Sequence, residues 1–115
     1  MEVTTNMTMQ EMIKNALVNN DQYGYFGIRI DCDVDYKVGD FAADSRVWDD
    51  GNATDDTLDG TSCIGVNINN IDKSVKLVNS YYGNRVYIVA GNVMEYGEDA
   101  GEYIIQNAKV VAIIK

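Results

Sequence analysis

The chain has 115 residues, a formal charge of −9 and 46% hydrophobic residues; that length suits one domain with its own core, and the apolar content excludes wholesale disorder. The acidic balance, with a pI near 4.2, excludes direct binding to nucleic-acid phosphate or to an anionic bilayer, both of which need clustered cations. With no histidine in the sequence, Ser-His and Cys-His nucleophilic mechanisms and nearly all catalytic zinc sites are excluded as well.

Met1 to Gln10 lacks a basic stretch followed by an apolar run, and no later segment is long enough to cross a bilayer, so the chain reads as cytoplasmic. Thr8 followed by Glu11 forms a capping box, and Met9, Met12, Ile13, Ala16 and Leu17 share one face, which predicts a helix ending near Asn19-Asn20. Phe26, Ile28, Ile30, Cys32, Val34, Tyr36 and Val38 then alternate with Arg29, Asp31, Asp33, Asp35 and Lys37. Period two predicts strand, and the length favours a hairpin broken near Cys32-Asp33. Asp40 to Thr61 reads as one long acidic loop, and Ser62 to Ile68 as a short strand returning to the core.

A second helix is predicted from Ile71, Val75, Val78 and Tyr82, with Asp72 at its start and Gly83-Asn84 at its end. Arg85 to Ala90 is a nearly continuous apolar run, as in a strand covered on both faces. Val93 to Tyr96, Glu102 to Gln106 and Lys109 to Ile114 complete a β-meander. The expected fold is α+β, a single domain over 1–115, with a mostly antiparallel sheet of about five to six strands and two helices packed on one face. Cys32 and Cys63 are too few and too far apart for a disulfide framework or a zinc site and are expected to be reduced.

The acidic loop is the prime functional candidate. Asp40, Asp44, Asp49, Asp50, Asp55, Asp56 and Asp59 crowd around Trp48, with Arg46 the only cation between Asp40 and Thr61. Asp44, Trp48, Asp49, Asp50, Asp55, Asp56 and Asp59 are the expected partner-binding residues, the tryptophan serving as anchor or hot spot and the carboxylates meeting a basic surface. Asp55 to Gly60 begins like a calcium loop, but the twelfth position is Val66 where a bidentate glutamate is required, so no metal is expected. Asp31, Asp33 and Asp35 at two-residue spacing read either as an acid-base pair or as a strand edge protected by charge.

An alternative follows from the order Arg29, Thr61-Ser62, Glu102, which resembles the Arg, Ser-Thr-Ser, Glu arrangement of ADP-ribosyltransferases. That resemblance implies an NAD cofactor held by Arg29 and Ser62, with Glu102 polarising the ribose. The middle motif here is Gly60-Thr61-Ser62, and Glu98 stands four residues before Glu102 where the family has a Glu-x-Glu pair. Tyr81, Tyr82, Tyr87, Tyr96 and Tyr103 allow a third reading, a small-ligand pocket lined by tyrosines.

Ser45 to Gly51, Leu58 to Ser62 and Tyr96 to Glu102 together resemble small acidic proteins carried by phages and mobile elements of Firmicutes. In size and acidity the chain is similar to phage-encoded inhibitors of host defence, including anti-CRISPR proteins. The resemblance implies a non-enzymatic inhibitor in the host cytoplasm, with carboxylates occupying the Lys/Arg groove in which a nuclease holds phosphates. No cofactor is expected on this reading.

Overall fold

Thr8 caps helix α1 (Met9–Asn19): its hydroxyl accepts from the Glu11 amide at 3.2 Å, and the Glu11 carboxylate accepts from the Thr8 amide at 3.4 Å. The computed structural model describes residues 8–31, 35–42, 45–49, 63–79, 85–98 and 100–114. At the other end of α1 the Asn20 side chain donates to the Ala16 carbonyl at 2.8 Å, satisfying one of the carbonyls that a helix terminus leaves open. Helix α2 (Ile71–Asn79) is entered through an asparagine turn in which the Asn67 amide donates to the Asn70 side chain at 2.6 Å. Gln10 and Asp72 hydrogen-bond across the two helices. Among the described residues no helix is long and apolar enough to cross a membrane.

The strands are β1 (Tyr25–Asp31), β2 (Ser45–Trp48), β3 (Cys63–Gly65), β4 (Arg85–Gly91), β5 (Met94–Tyr96), β6 (Glu102–Ile105) and β7 (Lys109–Ile113). They form one seven-stranded sheet in the order β5-β6-β2-β3-β1-β4-β7. β2 and β3 run parallel and every other pair is antiparallel. The α+β class and the placement of both helices on one face agree with expectation, because Ile13, Ala16, Leu17, Ile71 and Val78 pack with Ile28, Ile30, Ile64, Val86 and Ile88. The sheet itself is larger and mixed.

Three expectations are corrected. The alternation after Phe26 does not continue as a hairpin: β1 is paired by β4 along its full length and by β3 at Gly27 to Arg29, which leaves its edges no room for a following strand there. The proposed break at Cys32-Asp33 lies outside the described residues. Secondly, the Asp40 to Thr61 stretch contains a strand, β2, which pairs with both β3 and β6. Thirdly, the closing strands are not a meander, since β6 pairs with β5 and β2 while β7 crosses to pair with β4.

A second core accounts for that crossing. Val47, Cys63, Tyr87, Val89, Ile105, Ala108 and Val110 pack together on the side of the sheet away from the helices, with Ala42, Tyr36 and Tyr103. The sheet curls around this cluster. A Cβ placed on Gly91 of β4 would stand 2.5 Å from Ile105 Cγ2 of β6, although three strands lie between them in the sheet. The β6–β7 connection therefore has only a short gap to span, through Asn107 at a φ of 51°.

Closure of the curl is testable. Gly91→Ala pushes a methyl group into fully buried Ile105 and to 3.2 Å from the Gln106 carbonyl, which is expected to cost about 1–3 kcal/mol in urea denaturation. In an Ile105→Ala background the same substitution should cost less, because the atom that it strikes is gone.

Candidate functional site

Charge is distributed unevenly along the chain. Residues 31–61 hold ten aspartates against Lys37 and Arg46, so −8 of the −9 lies in that stretch and the remainder is within one charge of neutral. Of that stretch, Asp31, residues 35–42 and residues 45–49 are among the described residues. β2 and β3, which bracket the densest run of aspartates, are parallel neighbours in the sheet.

Trp48 occupies the last position of β2, opposite Glu102 and beside Ile64. It is half-buried against the helix-side core, while its neighbour Val47 is fully buried in the second core. The tryptophan is thus packed into the fold along part of its surface. Asp49 follows it, exposed, with its amide donating to the Gly101 carbonyl at 2.6 Å. It borders a small polar hollow of about 80 Å³ lined by Gly65, Asn67, Asn70 and Tyr103. Asp44, Asp50, Asp55, Asp56 and Asp59 lie outside the described residues, as does the calcium-like stretch Asp55 to Gly60. Among the described residues no group of three or more His, Cys, Asp or Glu side chains converges as a metal site would require.

Two other carboxylates have structural partners. Asp40 accepts from the Lys37 amide at 2.8 Å and closes a turn in which the Asp40 amide donates to the Lys37 carbonyl at 3.0 Å. Asp35 pairs with Arg85 at 3.2 Å, both largely exposed. The expected ladder of Asp31, Asp33 and Asp35 along one strand is not formed, since β1 ends at Asp31, Asp33 is outside the described residues and Asp35 belongs to no strand.

Of the residues of the transferase alternative, Arg29 lies on β1 and Glu102 on β6. Arg29 donates to the Ser45 hydroxyl at 3.2 Å, and its guanidinium sits 5.7 Å from the centre of the Tyr36 ring. Tyr36 in turn stands edge-on to Tyr87 at 5.3 Å, and its amide donates to the Tyr87 hydroxyl at 3.1 Å. Arg29 is in register with Tyr87 and Cys63, on the second-core side; Glu102 is in register with Trp48, on the helix side. Alternation along the strands thus points Arg29 and Glu102 to opposite faces. Ser62 lies outside the described residues.

Glu102 is 3% exposed and belongs to the loop that precedes it. One carboxylate oxygen accepts from the Glu98 amide at 3.2 Å, and any side chain at Gly97 would collide with that carboxylate. The other oxygen lies 3.4 Å from Arg46 Nε but at an angle that makes no hydrogen bond, so this contact is electrostatic. Sequence reasoning missed this role of Arg46. The cation read as the single counter-charge of the acidic loop reaches across to β6. Tyr87 and Tyr103 are spent in or beside the second core, Tyr96 is 84% exposed on the short strand β5, and Tyr81 and Tyr82 lie outside the described residues.

Comparison with protein-family models, curated proteins and solved structures finds no match to this chain. The site must therefore be argued from its own chemistry.

Removal of Arg46 should expose the dependence of Glu102 on it. Arg46→Met leaves a buried carboxylate without its cation and is expected to cost about 1–2 kcal/mol, a value held down by the arginine's solvent exposure. In the Arg46→Met/Glu102→Gln double variant the loss should be smaller than the sum of the single losses, as read from urea midpoints.

Proposed function

We propose that the protein is a non-enzymatic acidic binding protein whose aspartate-rich stretch, residues 31–61, occupies a basic surface on a partner protein. The observation that carries this reading is the segregation of charge: −8 in thirty-one consecutive residues, on a chain otherwise near neutrality. Unlike charges attract over roughly a Debye length, about 8 Å at physiological salt, so a concentrated anionic patch both steers encounter and selects cationic partners. Like-charged nucleic acid and anionic lipid are repelled by the same field.

The concrete form is an inhibitor of a nucleic-acid-binding effector, in the manner of phage-encoded antagonists of host defence. A groove that holds phosphates with lysine and arginine offers the same donors to carboxylates. Aspartate suits that task because its short side chain loses less rotamer entropy than glutamate on being held in place. Anchorage supports it too: β2 is gripped by both cores through Val47 and Trp48, so Asp49, which follows its last residue, is presented from a rigid base and less ordering entropy is lost on binding.

An oligolysine peptide serves as a minimal basic surface. It should bind the protein at low salt, with affinity falling steeply as salt is raised, and the combined reversal of Asp49, Asp50, Asp55 and Asp56 to lysine should abolish binding without unfolding the chain. Binding that survives both high salt and the reversals would overturn the proposal.

A further inference from the structure

A polar hollow opens beside Asp49 at the C-terminal end of β2. The parallel register sets Val47 opposite Cys63 and Trp48 opposite Ile64, and one further step along both strands brings Asp49 alongside Gly65. The backbone there is tied on both sides. The Asp49 amide donates to the Gly101 carbonyl at 2.6 Å, and beyond Gly65 the chain enters the asparagine turn that leads to α2. In that turn the Asn67 amide donates to the Asn70 side chain at 2.6 Å, the Asn69 amide to the Asn67 side chain at 2.8 Å, and the Asn70 carboxamide nitrogen reaches back to the Gly65 carbonyl at 3.4 Å. Tyr103 closes the hollow from β6. A Cβ on Gly65 would stand 2.5 Å from the Tyr103 hydroxyl and 3.3 Å from the Trp48 carbonyl, so the missing side chain is what leaves this space open. Asp49, Tyr103 and the asparagine carboxamides form the walls, with Val66 the one apolar side chain and Asp49 the one charged residue among them.

We propose that this hollow receives a single primary ammonium group, the head of a lysine side chain on the partner protein. The inference rests on the reading of the acidic stretch as a binding surface and gives that surface one specific contact at Asp49. Size selects the occupant: about 80 Å³ takes two or three waters at a liquid share of about 30 Å³ each, whereas small-molecule sites begin at roughly 300 Å³. One side-chain head group fits and a metabolite does not. Charge selects the sign, since an entering cation meets one carboxylate and no lysine or arginine in the walls. Calcium is a poorer occupant, because it takes about six to eight oxygen ligands with several carboxylates among them, and among the described residues no group of three or more His, Cys, Asp or Glu side chains converges. An ammonium presents three N–H donors, which carboxylate, phenol and carboxamide oxygens accept. An ionised carboxylate has about four acceptor positions, so Asp49 keeps capacity for the ligand beside its contacts within the protein. The hydrogen-bonded turn fixes the carboxamides beforehand, which lowers the ordering cost of binding.

The test compares oligolysine with the same peptide trimethylated at every Nε, which keeps the charge but has no N–H to donate and carries a bulkier head. At low salt the wild-type protein should bind oligolysine roughly tenfold more tightly, as expected for a hydrogen bond to a charged group. Asp49→Asn should erase that preference. Asp35→Asn removes the same charge from an exposed position elsewhere in the acidic stretch, and should weaken both peptides alike while keeping the preference. Tyr103→Phe keeps the ring and the net charge, deletes only the hydroxyl at the hollow, and should reduce the preference as well. In ¹⁵N-labelled protein the amide signals of Gly65, Asn67 and Asn70 should shift on addition of oligolysine and hold still with the trimethylated peptide. Equal wild-type affinity for the two peptides overturns the inference, as does a preference that survives Asp49→Asn or one that Asp35→Asn abolishes equally, and in each case the acidic binding surface still stands. Failure of the wild type to bind oligolysine at low salt removes the surface and the role of the hollow together.

Discussion

Val47 and Trp48 are consecutive residues of β2 that enter the two cores on opposite sides of the sheet. Strand geometry makes this arrangement obligatory once both faces are covered, since neighbouring side chains point in opposite directions. It also places a four-residue strand under strong constraint. A slip of one residue would drive tryptophan into the close-packed space of valine and leave the smaller valine where the indole packs, an error that both cores oppose. The two strands flanking β2 add backbone pairing on each side. This short segment is consequently a fixed point of the sheet.

A sheet covered on both faces also dictates where charge can reside. In a sheet with one solvated face, every second strand residue can be polar. Here β4 is buried at six of its seven positions and β3 at all three, so the central strands offer no surface for carboxylates. Arg29, the cation in the middle of β1, is accommodated by a hydroxyl and an aromatic ring. Glu102 at the start of β6 is accommodated by a loop amide and a neighbouring guanidinium. Each is engaged in the protein's own architecture. The excess negative charge falls in residues 31–61, and the described interior has no place for it.

Much of this organisation was legible in the residues. Thr8 and Glu11 mark the first helix because a capping box is a local interaction between groups three residues apart, and α1 begins where they place it. The strands from Arg85 and Glu102 were visible for the same reason: continuous or alternating apolar runs report burial directly. What stayed hidden was non-local. Ser45 to Trp48 is too short and too surrounded by aspartates to show a period, and only pairing with β3 and β6 makes it a strand. The alternation from Phe26 to Val38 was misleading because it continues past the end of β1. Phe26, Ile28 and Ile30 lie on the helix side, whereas Tyr36 packs in the second core and Val38 is exposed. Phe41, 67% exposed, gave no sign in the sequence, since its exposure depends on residues 37–42 forming a strap against the edge of β7 through the Gly39 and Ala42 amides, and its nearest local clue was the Gly39-Asp40 turn.

The strap joins the logic of the sheet edge to that of the acidic stretch. An edge strand leaves amides and carbonyls open to pairing with other chains, and proteins cover such edges or charge them. β7 is covered at Ala108 and Val110 by a segment that belongs to the acidic stretch, so one piece of chain closes the edge and carries part of the charged surface. Covering an edge with backbone also fixes the covering segment's side chains, whatever their character. A lysine or glutamate at position 41 would serve edge protection equally well and would avoid exposing a phenyl ring to water. The ring's hydration disfavours that position by roughly 1.5–3 kcal/mol relative to burial, with only the nearby Lys109 ammonium to offset part of it. Edge protection therefore explains the strap's backbone but not its choice of side chain.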